Sequence, residues 1–352
     1  MTTKNWMIYG ANGYTGALIA KQAKENGLTP ILAGRNKRVL AKMSEELGLP
    51  CRVFSLENPA QIETNLQDVD LVLHCAGPFS ATSAPMMNAC IASHCHYLDI
   101  TGEISVYEAA QELSKKAQEA GVLLCPGVGF DVIPTDCVAA KLKELIPDAN
   151  VLKLGFDSKS GLSPGTAKTS IEGLSQGGKV RENGHIKSVP LAYKTQKIDF
   201  GDGEKLAMTI PWGDVSTAFF TTQIPNIEVY IPASPNLVKK LRKLNRARWI
   251  LGWKWVINMM KRKVDKTIKG PSAEKRKTLR TFVWGQASNE QGDTKTVRIE
   301  TMNGYALTIT GSLAVAQYIL NSDVSSGYTT PSLLMGSGLV RTLPGSNDWK
   351  ID

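Results

Sequence analysis

The sequence predicts an α/β protein: a doubly wound parallel sheet, followed by a second α+β domain built on a mainly antiparallel sheet. Three observations predict it. Over residues 1–150, short apolar or β-branched runs alternate with amphipathic stretches of helical length, and strict alternation calls for a parallel sheet covered on both faces. A glycine-rich turn, Gly10-Ala11-Asn12-Gly13-Tyr14-Thr15-Gly16, opens the first helix after the first strand. After Pro147 the alternation stops, and strand-like runs succeed one another with Gly and Pro turns, the pattern of antiparallel pairing.

In order, the predicted strands of the first domain are Trp6 to Tyr9, Thr29 to Ala33, Cys51 to Ser55, Asp70 to Ala76, His96 to Ile100 and Val122 to Cys125. Predicted helices run from Thr15 to Asn26, Arg38 to Leu47 and Ser105 to Ala120, each followed by a glycine that stops it (Gly27, Gly48, Gly121). Strands are next expected at Val151 to Asp157, Ile186 to Tyr193, Lys197 to Phe200, Leu206 to Ile210, Ala218 to Gln223 and Glu228 to Ile231. Two more follow at Thr278 to Asn289 and Lys295 to Thr301, around the turn Glu290-Gln291-Gly292-Asp293. Ala306 to Asn321 and the tail from Pro331 read as helices. The expected division is 1–127 for the first domain, with helices of 306–352 packing back on it, and 128–305 for the second.

Composition narrows the function classes. With 352 residues, 42% hydrophobic and 21% charged, the chain is long enough for two cores and is neither low-complexity nor disordered in texture. Six cysteines contain no C-x-x-C pair, so neither a disulfide framework nor a metal site is expected. His94, Cys95 and His96 are neighbours whose side chains alternate in direction on a strand and do not converge on one ion. No signal-peptide or spanning segment is evident, which gives a cytoplasmic expectation.

The formal charge of +9 is local. Lys239 to Arg280 holds 16 Lys or Arg and two acids, while the rest is net acidic; without an accompanying motif, specific nucleic-acid binding is not expected. On a helical wheel drawn through 241–264, Ala247, Lys254, Asn258, Lys261 and Asp265 form a narrow polar stripe. Trp249, Trp253, Trp255 and aliphatic residues cover the remainder. Within the basic Trp-rich segment 239–269, that helix has three readings: peripheral contact with the inner membrane face, a homodimer interface, or a lid over a lipid-like substrate.

The glycine turn has the context of a Rossmann-type dinucleotide site, in which backbone approaches pyrophosphate at a helix N-terminus. Gly10, Asn12, Gly13, Tyr14, Thr15 and Gly16 are its candidate cofactor contacts. After the second strand, where a carboxylate would hold an unphosphorylated ribose, the chain has Ala33-Gly34-Arg35-Asn36-Lys37-Arg38. An acid would repel a 2′-phosphate, whereas Arg35 grips one bidentately with Lys37 or Arg38 assisting, so NADP(H) is the predicted cofactor. Gly77-Pro78-Phe79, after the fourth strand, is either a ribose and nicotinamide contact or a packed turn.

For chemistry, the loops after the fifth and sixth strands supply Asp99, Glu103 and Asp131 as candidate proton donors, with Tyr97 as a phenolic one. The carboxylates also read as caps of the helices that begin near Ser105 and Thr135. Gly165 and Thr166 open a predicted helix in the second domain, with Lys168 one turn in; this is a candidate substrate-binding start.

Taken together, GANGYTG, the AGR of Ala33 to Arg35, CAGPF (Cys75 to Phe79), YLDITGE (Tyr97 to Glu103) and PGVGFDVIPTD (Pro126 to Asp136) resemble the saccharopine dehydrogenase-like oxidoreductases. PWGD at Pro211, GPSAEKR at Gly270 and VWGQA at Val283 are similar to the trans-acting enoyl reductase branch. The resemblance implies NADP binding and hydride transfer, with an active site between the domains. Val132 stands where such proteins often carry serine, and Arg181 is the only arginine between Arg52 and Arg242, too few for a substrate bearing several carboxylates. The expectation is an NADPH-dependent oxidoreductase acting on an apolar or acyl-type small molecule, with enoyl C=C reduction in view. An amino-acid imine reductase and a non-catalytic NADP(H)-binding module are the alternatives.

Overall fold

In the computed structural model, which describes residues 4–159, 171, 173–267 and 279–352, the chain falls into two units, Met1–Ile133 with Leu307–Met335 and Pro134–Ala306 with Gly336–Asp352. The first begins with β1 (Trp6–Tyr9), α1 (Tyr14–Glu25), β2 (Ile31–Gly34), α2 (Lys37–Leu47), β3 (Cys51–Val53), α3 (Pro59–Leu66) and β4 (Leu71–His74). It continues through α4 (Phe79–Ala92), β5 (His96–Asp99), α5 (Ile104–Glu112), α6 (Ser114–Glu119) and β6 (Leu123–Cys125). Short β15 (Gly327–Tyr328) returns late in the chain to pair with β6. The sheet order is β15-β6-β5-β4-β1-β2-β3 with every pairing parallel.

β1, β2 and β4 are wholly buried, as a sheet covered on both faces requires. Neighbouring β1 and β4 leave in opposite lateral directions, so the crevice at their carboxyl ends is the topological switch point where ligands bind in such sheets.

Local chemistry sets the helix ends. Asn36 accepts from the Val39 N–H and Gly48 closes α2 in the left-handed region at φ 60°; Asn58 caps α3 with Pro59 behind it. Two expectations differ here. The helix expected over 105–120 breaks at Leu113 into α5 and α6. α4 is missing from the sequence reading because Pro85 sits inside it and its apolar residues show little helical periodicity.

In the second unit α7 (Ile133–Leu145) precedes a mixed sheet whose centre is β7 (Val151–Ser158). β7 pairs parallel with β12 (Asn226–Pro232) and antiparallel with β13 (Arg280–Ser288). β13 and β14 (Thr294–Met302) form the expected hairpin. On the β12 side lie two further hairpins, β8 (Gly178–Glu182) with β9 (His185–Val189), and β10 (Thr195–Asp199) with β11 (Glu204–Thr209). Phe200, Tyr230 and Trp284 pack with Ile198 and Ala207 in one core cluster of this unit.

The strand expected at Ala218 to Gln223 is instead the end of a helix, α8 (Asp214–Thr222), closed by Gln223 at φ 58°. Aromatic and β-branched residues favour strands locally. Here Asp214 to Ala218 and Thr222 are buried on the helix, and packing overrides that preference.

The segment drawn as one helix over 241–264 is three pieces: α9 (Pro235–Leu244), a 3-10 stretch Asn245–Gly252, and α10 (Lys254–Thr267), with Trp253 extended between the last two. The narrow polar stripe therefore does not exist as a single face, because the break at Trp253 resets the helical phase. α11 (Gly304–Asn321) and α12 (Pro331–Met335) follow, then α13 (Leu339–Thr342) and β16 (Lys350–Ile351). The tail divides: 307–335 clusters with the first unit, whereas 336–352 belongs to the second, where β16 pairs with β14. Among the described residues, no helix is long and apolar enough to cross a membrane.

Candidate functional site

At the carboxyl end of β1 the chain turns sharply because Gly10 adopts φ 82°. The Gly10 and Ala11 N–H groups both donate to the Ala33 carbonyl, at 2.8 and 3.1 Å, and the Cys75 N–H donates to the Tyr9 carbonyl at 2.7 Å. These bonds stitch the turn to β2 on one side and to the end of β4 on the other. A Cβ on Gly16 would sit 2.3 Å from the Gly10 carbonyl oxygen, and one on Gly10 2.7 Å from the Ala76 nitrogen. The turn and the first turn of α1 therefore pack at a distance only glycine permits, leaving Asn12, Gly13 and Tyr14 exposed over the N-terminus of α1. Thr15 is half-buried beside them.

Arg35, Lys37 and Arg38 are exposed just beyond β2, and no carboxylate lies among residues 33–38. Arg35 is near enough to Tyr9 for its charge to act on the phenol. Burial nevertheless dominates and holds that pKa up at about 12, while the Tyr9 hydroxyl donates to the Phe54 carbonyl at 3.1 Å. An open backbone cradle, a helix N-terminus and an exposed guanidinium fit a phosphorylated dinucleotide.

Beneath the β4–α4 turn lies His74, which the sequence reading did not single out. It is fully buried, and burial pushes its pKa down to about 3, so the imidazole is neutral. Thr82 Oγ1 donates to the Ala76 carbonyl at 2.6 Å and lies 3.0 Å from His74 Nε2. The hydroxyl's proton is thus engaged with that carbonyl, which places the imidazole proton on Nε2; among the described residues, Nδ1 has no hydrogen-bond partner. The ring packs against Tyr9 and Phe79, both with centroids at 5.5 Å. Phe79 thereby rests edge-on to a histidine, while Gly77 and Pro78 are exposed. The only sequence signal was a histidine closing an otherwise apolar strand.

The acid-rich loops resolve into different duties. Asp99 is fully buried, accepts from the Thr101 and Gly127 N–H groups at 2.9 and 2.8 Å, and accepts from the Tyr97 hydroxyl at 2.7 Å. Burial outweighs these donors and raises its pKa to about 6. Asp99 and Tyr97 thus satisfy each other in the core and tie the loop after β5 to the turn after β6. Glu103 receives the Phe79 N–H at 3.0 Å and the Ser80 N–H at 2.9 Å, which makes it the cap of α4, not of the helix it precedes.

Asp131 is different. The residue is partly exposed, yet its carboxyl is desolvated and its pKa is pushed up to about 7 by burial. A Cβ on Gly102 would sit 2.7 Å from Asp131 Oδ2, so the two loops meet at this carboxylate. Val132 is core. Asp136, in the second unit, accepts from the Thr221 hydroxyl at 2.5 Å. Gly165, Thr166 and Lys168 lie outside the described residues. Among the described residues, no group of three or more His, Cys, Asp or Glu is placed to hold a metal ion.

Residues 6–125 match the family model of the Saccharopine dehydrogenase NADP binding domain. A human protein named saccharopine dehydrogenase-like oxidoreductase is 28% identical over 214 residues, covering 53% of this chain and 50% of its own. A trans-acting enoyl reductase of Mycobacterium ulcerans is 28% identical over 138 residues, 37% of this chain and 33% of its own. The chain therefore spans about half the length, or less, of the curated relatives it matches. Saccharopine dehydrogenase (L-Glu forming) of Saccharomyces cerevisiae superposes with a TM-score of 0.68 at 11% identity, covering 99% of this chain and 100% of that one; this likeness shows the fold.

Proposed function

We propose that this chain, whose residues 6–125 are an NADP-binding domain of the saccharopine dehydrogenase type, is an NADPH-dependent reductase of an apolar, acyl-type substrate, with an activated C=C bond as the group reduced. The observation that carries the cofactor half is Arg35, exposed just beyond β2 with no carboxylate among residues 33–38, beside the open glycine turn. Bound NADPH would supply the hydride for one alkene carbon, and the neighbouring carbon takes a proton.

This chain's own contribution is the proton and the placement. Among the candidate acids of the first unit, Asp131 combines partial access with a pKa pushed up to about 7 by burial. That is the poise a general acid needs. The enoyl relatives and one further feature support an acyl substrate over a polycarboxylate. Arg181 spends its guanidinium on the Val215 and Gly184 carbonyls, each at 2.6 Å, and stacks over Phe219 at 4.1 Å. It is thus engaged as a structural group in its own unit.

The test is NADPH consumption by the purified chain, offered 2-enoyl thioesters, ketones, and α-keto acids mixed with amines. Loss of NADPH absorbance with enoyl thioesters, and the saturated product by mass spectrometry, is expected. Turnover confined to keto acid with amine would replace this reading by imine reduction. Tight NADPH binding without turnover on any class would replace it by a sensor.

A further inference from the structure

The dinucleotide site leaves unexplained a surface of the second unit, built from α9, the 3-10 stretch and α10. One side of this segment is anchored. Val238 packs with Ala192 and Met208, Val264 with Ile171, and the Asn245 side chain accepts from the Leu191 N–H and donates to its carbonyl. The other side carries Trp249 at 65%, Trp255 at 60%, Met259 at 56% and Trp253 at 43% exposure. The Trp253 ring lies 5.3 Å from that of Trp249 and 6.1 Å from that of Trp255, so the three form one aromatic cluster. Solvent-facing tryptophans in mutual contact are an apolar patch, and such patches mark interaction surfaces.

Charge identifies the occupant. From Lys239 to Lys263 the chain has ten lysines and arginines and no carboxylate. Arg262 and Lys263 line one open recess together with Trp255, Asn258 and Met259, so cations and exposed apolar groups share a face. We propose that this face docks on an anionic lipid surface, the tryptophans entering at headgroup level and the flanking cations neutralising acidic headgroups.

A second copy of the chain fits poorly, because a two-fold contact would oppose two identical cationic stretches. The rings also meet one another at 70° and 47° instead of presenting parallel open faces, the arrangement that stacking of single-stranded bases uses.

The experiment floats the full chain with phosphatidylcholine vesicles, with and without phosphatidylglycerol, at low and high salt. Flotation with the anionic vesicles alone, weakening as salt rises, is expected, with quenching of tryptophan emission by brominated lipid. Lys254→Gln with Arg262→Gln should lower partitioning about 25-fold, at about fivefold per cation near the surface. Trp249→Ala with Trp255→Ala should lower it about tenfold or more. All four side chains are exposed, and circular dichroism confirms the variants' fold. No flotation at low salt, equal flotation on neutral vesicles, or variants that bind like the parent would overturn the proposal. So would a parent dimer that the double tryptophan variant dissolves, or tighter retention by an oligonucleotide than by vesicles at equal salt.

Discussion

Replacing Arg35 by alanine tests the cofactor assignment at its most exposed point. The Ala33 carbonyl is held by the Gly10 and Ala11 N–H groups, so Arg35, two residues on, projects from backbone tied to the glycine turn. Its guanidinium faces no competing carboxylate among residues 33–38. A charge-assisted hydrogen bond to a phosphate contributes about 1.5–3 kcal/mol, and solvent exposure at this site favours the lower half of that range. Calorimetric titration with NADPH should therefore show Kd rising about 10- to 50-fold in Arg35→Ala, with Lys37 and Arg38 retaining part of the 2′-phosphate affinity. NADH, which lacks that phosphate, should change by less than about twofold. Equal losses for the two cofactors, or an NADPH affinity that does not move, would refute the role given to Arg35.

Asp131→Asn should abolish most turnover while altering how stability depends on pH. A carboxyl with a folded pKa of about 7 holds its proton better in the native than in the unfolded chain, so stability falls as pH rises from about 4 to 7. The full penalty, at most about 4 kcal/mol, is present above that range. Urea midpoints at pH 5 and pH 8 should thus differ less in the variant than in the parent, and an identical pH dependence would sink the assignment. Glu103→Ala removes the acceptor of the first two N–H groups of α4 and should cost about 1–2 kcal/mol in urea unfolding; an unchanged midpoint would show that the pair contributes nothing.

The first domain is legible because its local and tertiary demands agree. Gly48 and Gly121 end helices where a left-handed residue is needed, four-residue apolar runs become fully buried strands, and the glycine turn falls where backbone must pass within contact of backbone. Legibility fails where neighbours outvote the local pattern. Ala218 to Thr222 looks like a strand but is helical, because burial on α8 decides. The wheel through 241–264 assumed a continuous helix, and a single extended residue, Trp253, breaks it. His74 gave almost no signal, since its role depends on Thr82, Tyr9 and Phe79 arriving from other elements.

What the sequence alone determined is the glycine turn, an arginine with no carboxylate beside it after the second strand, and the alternation that makes a parallel sheet, all of them set by residue types within a few positions of one another. Only the tertiary structure sorted the carboxylates: three acids of one sequence texture became a buried clamp at Asp99, a cap for a distant helix at Glu103 and a near-neutral acid at Asp131. The reason is that a carboxyl's duty depends on which donors reach it and how much water is left around it. Those are properties of loops that meet in space, and spacing along the chain does not encode them.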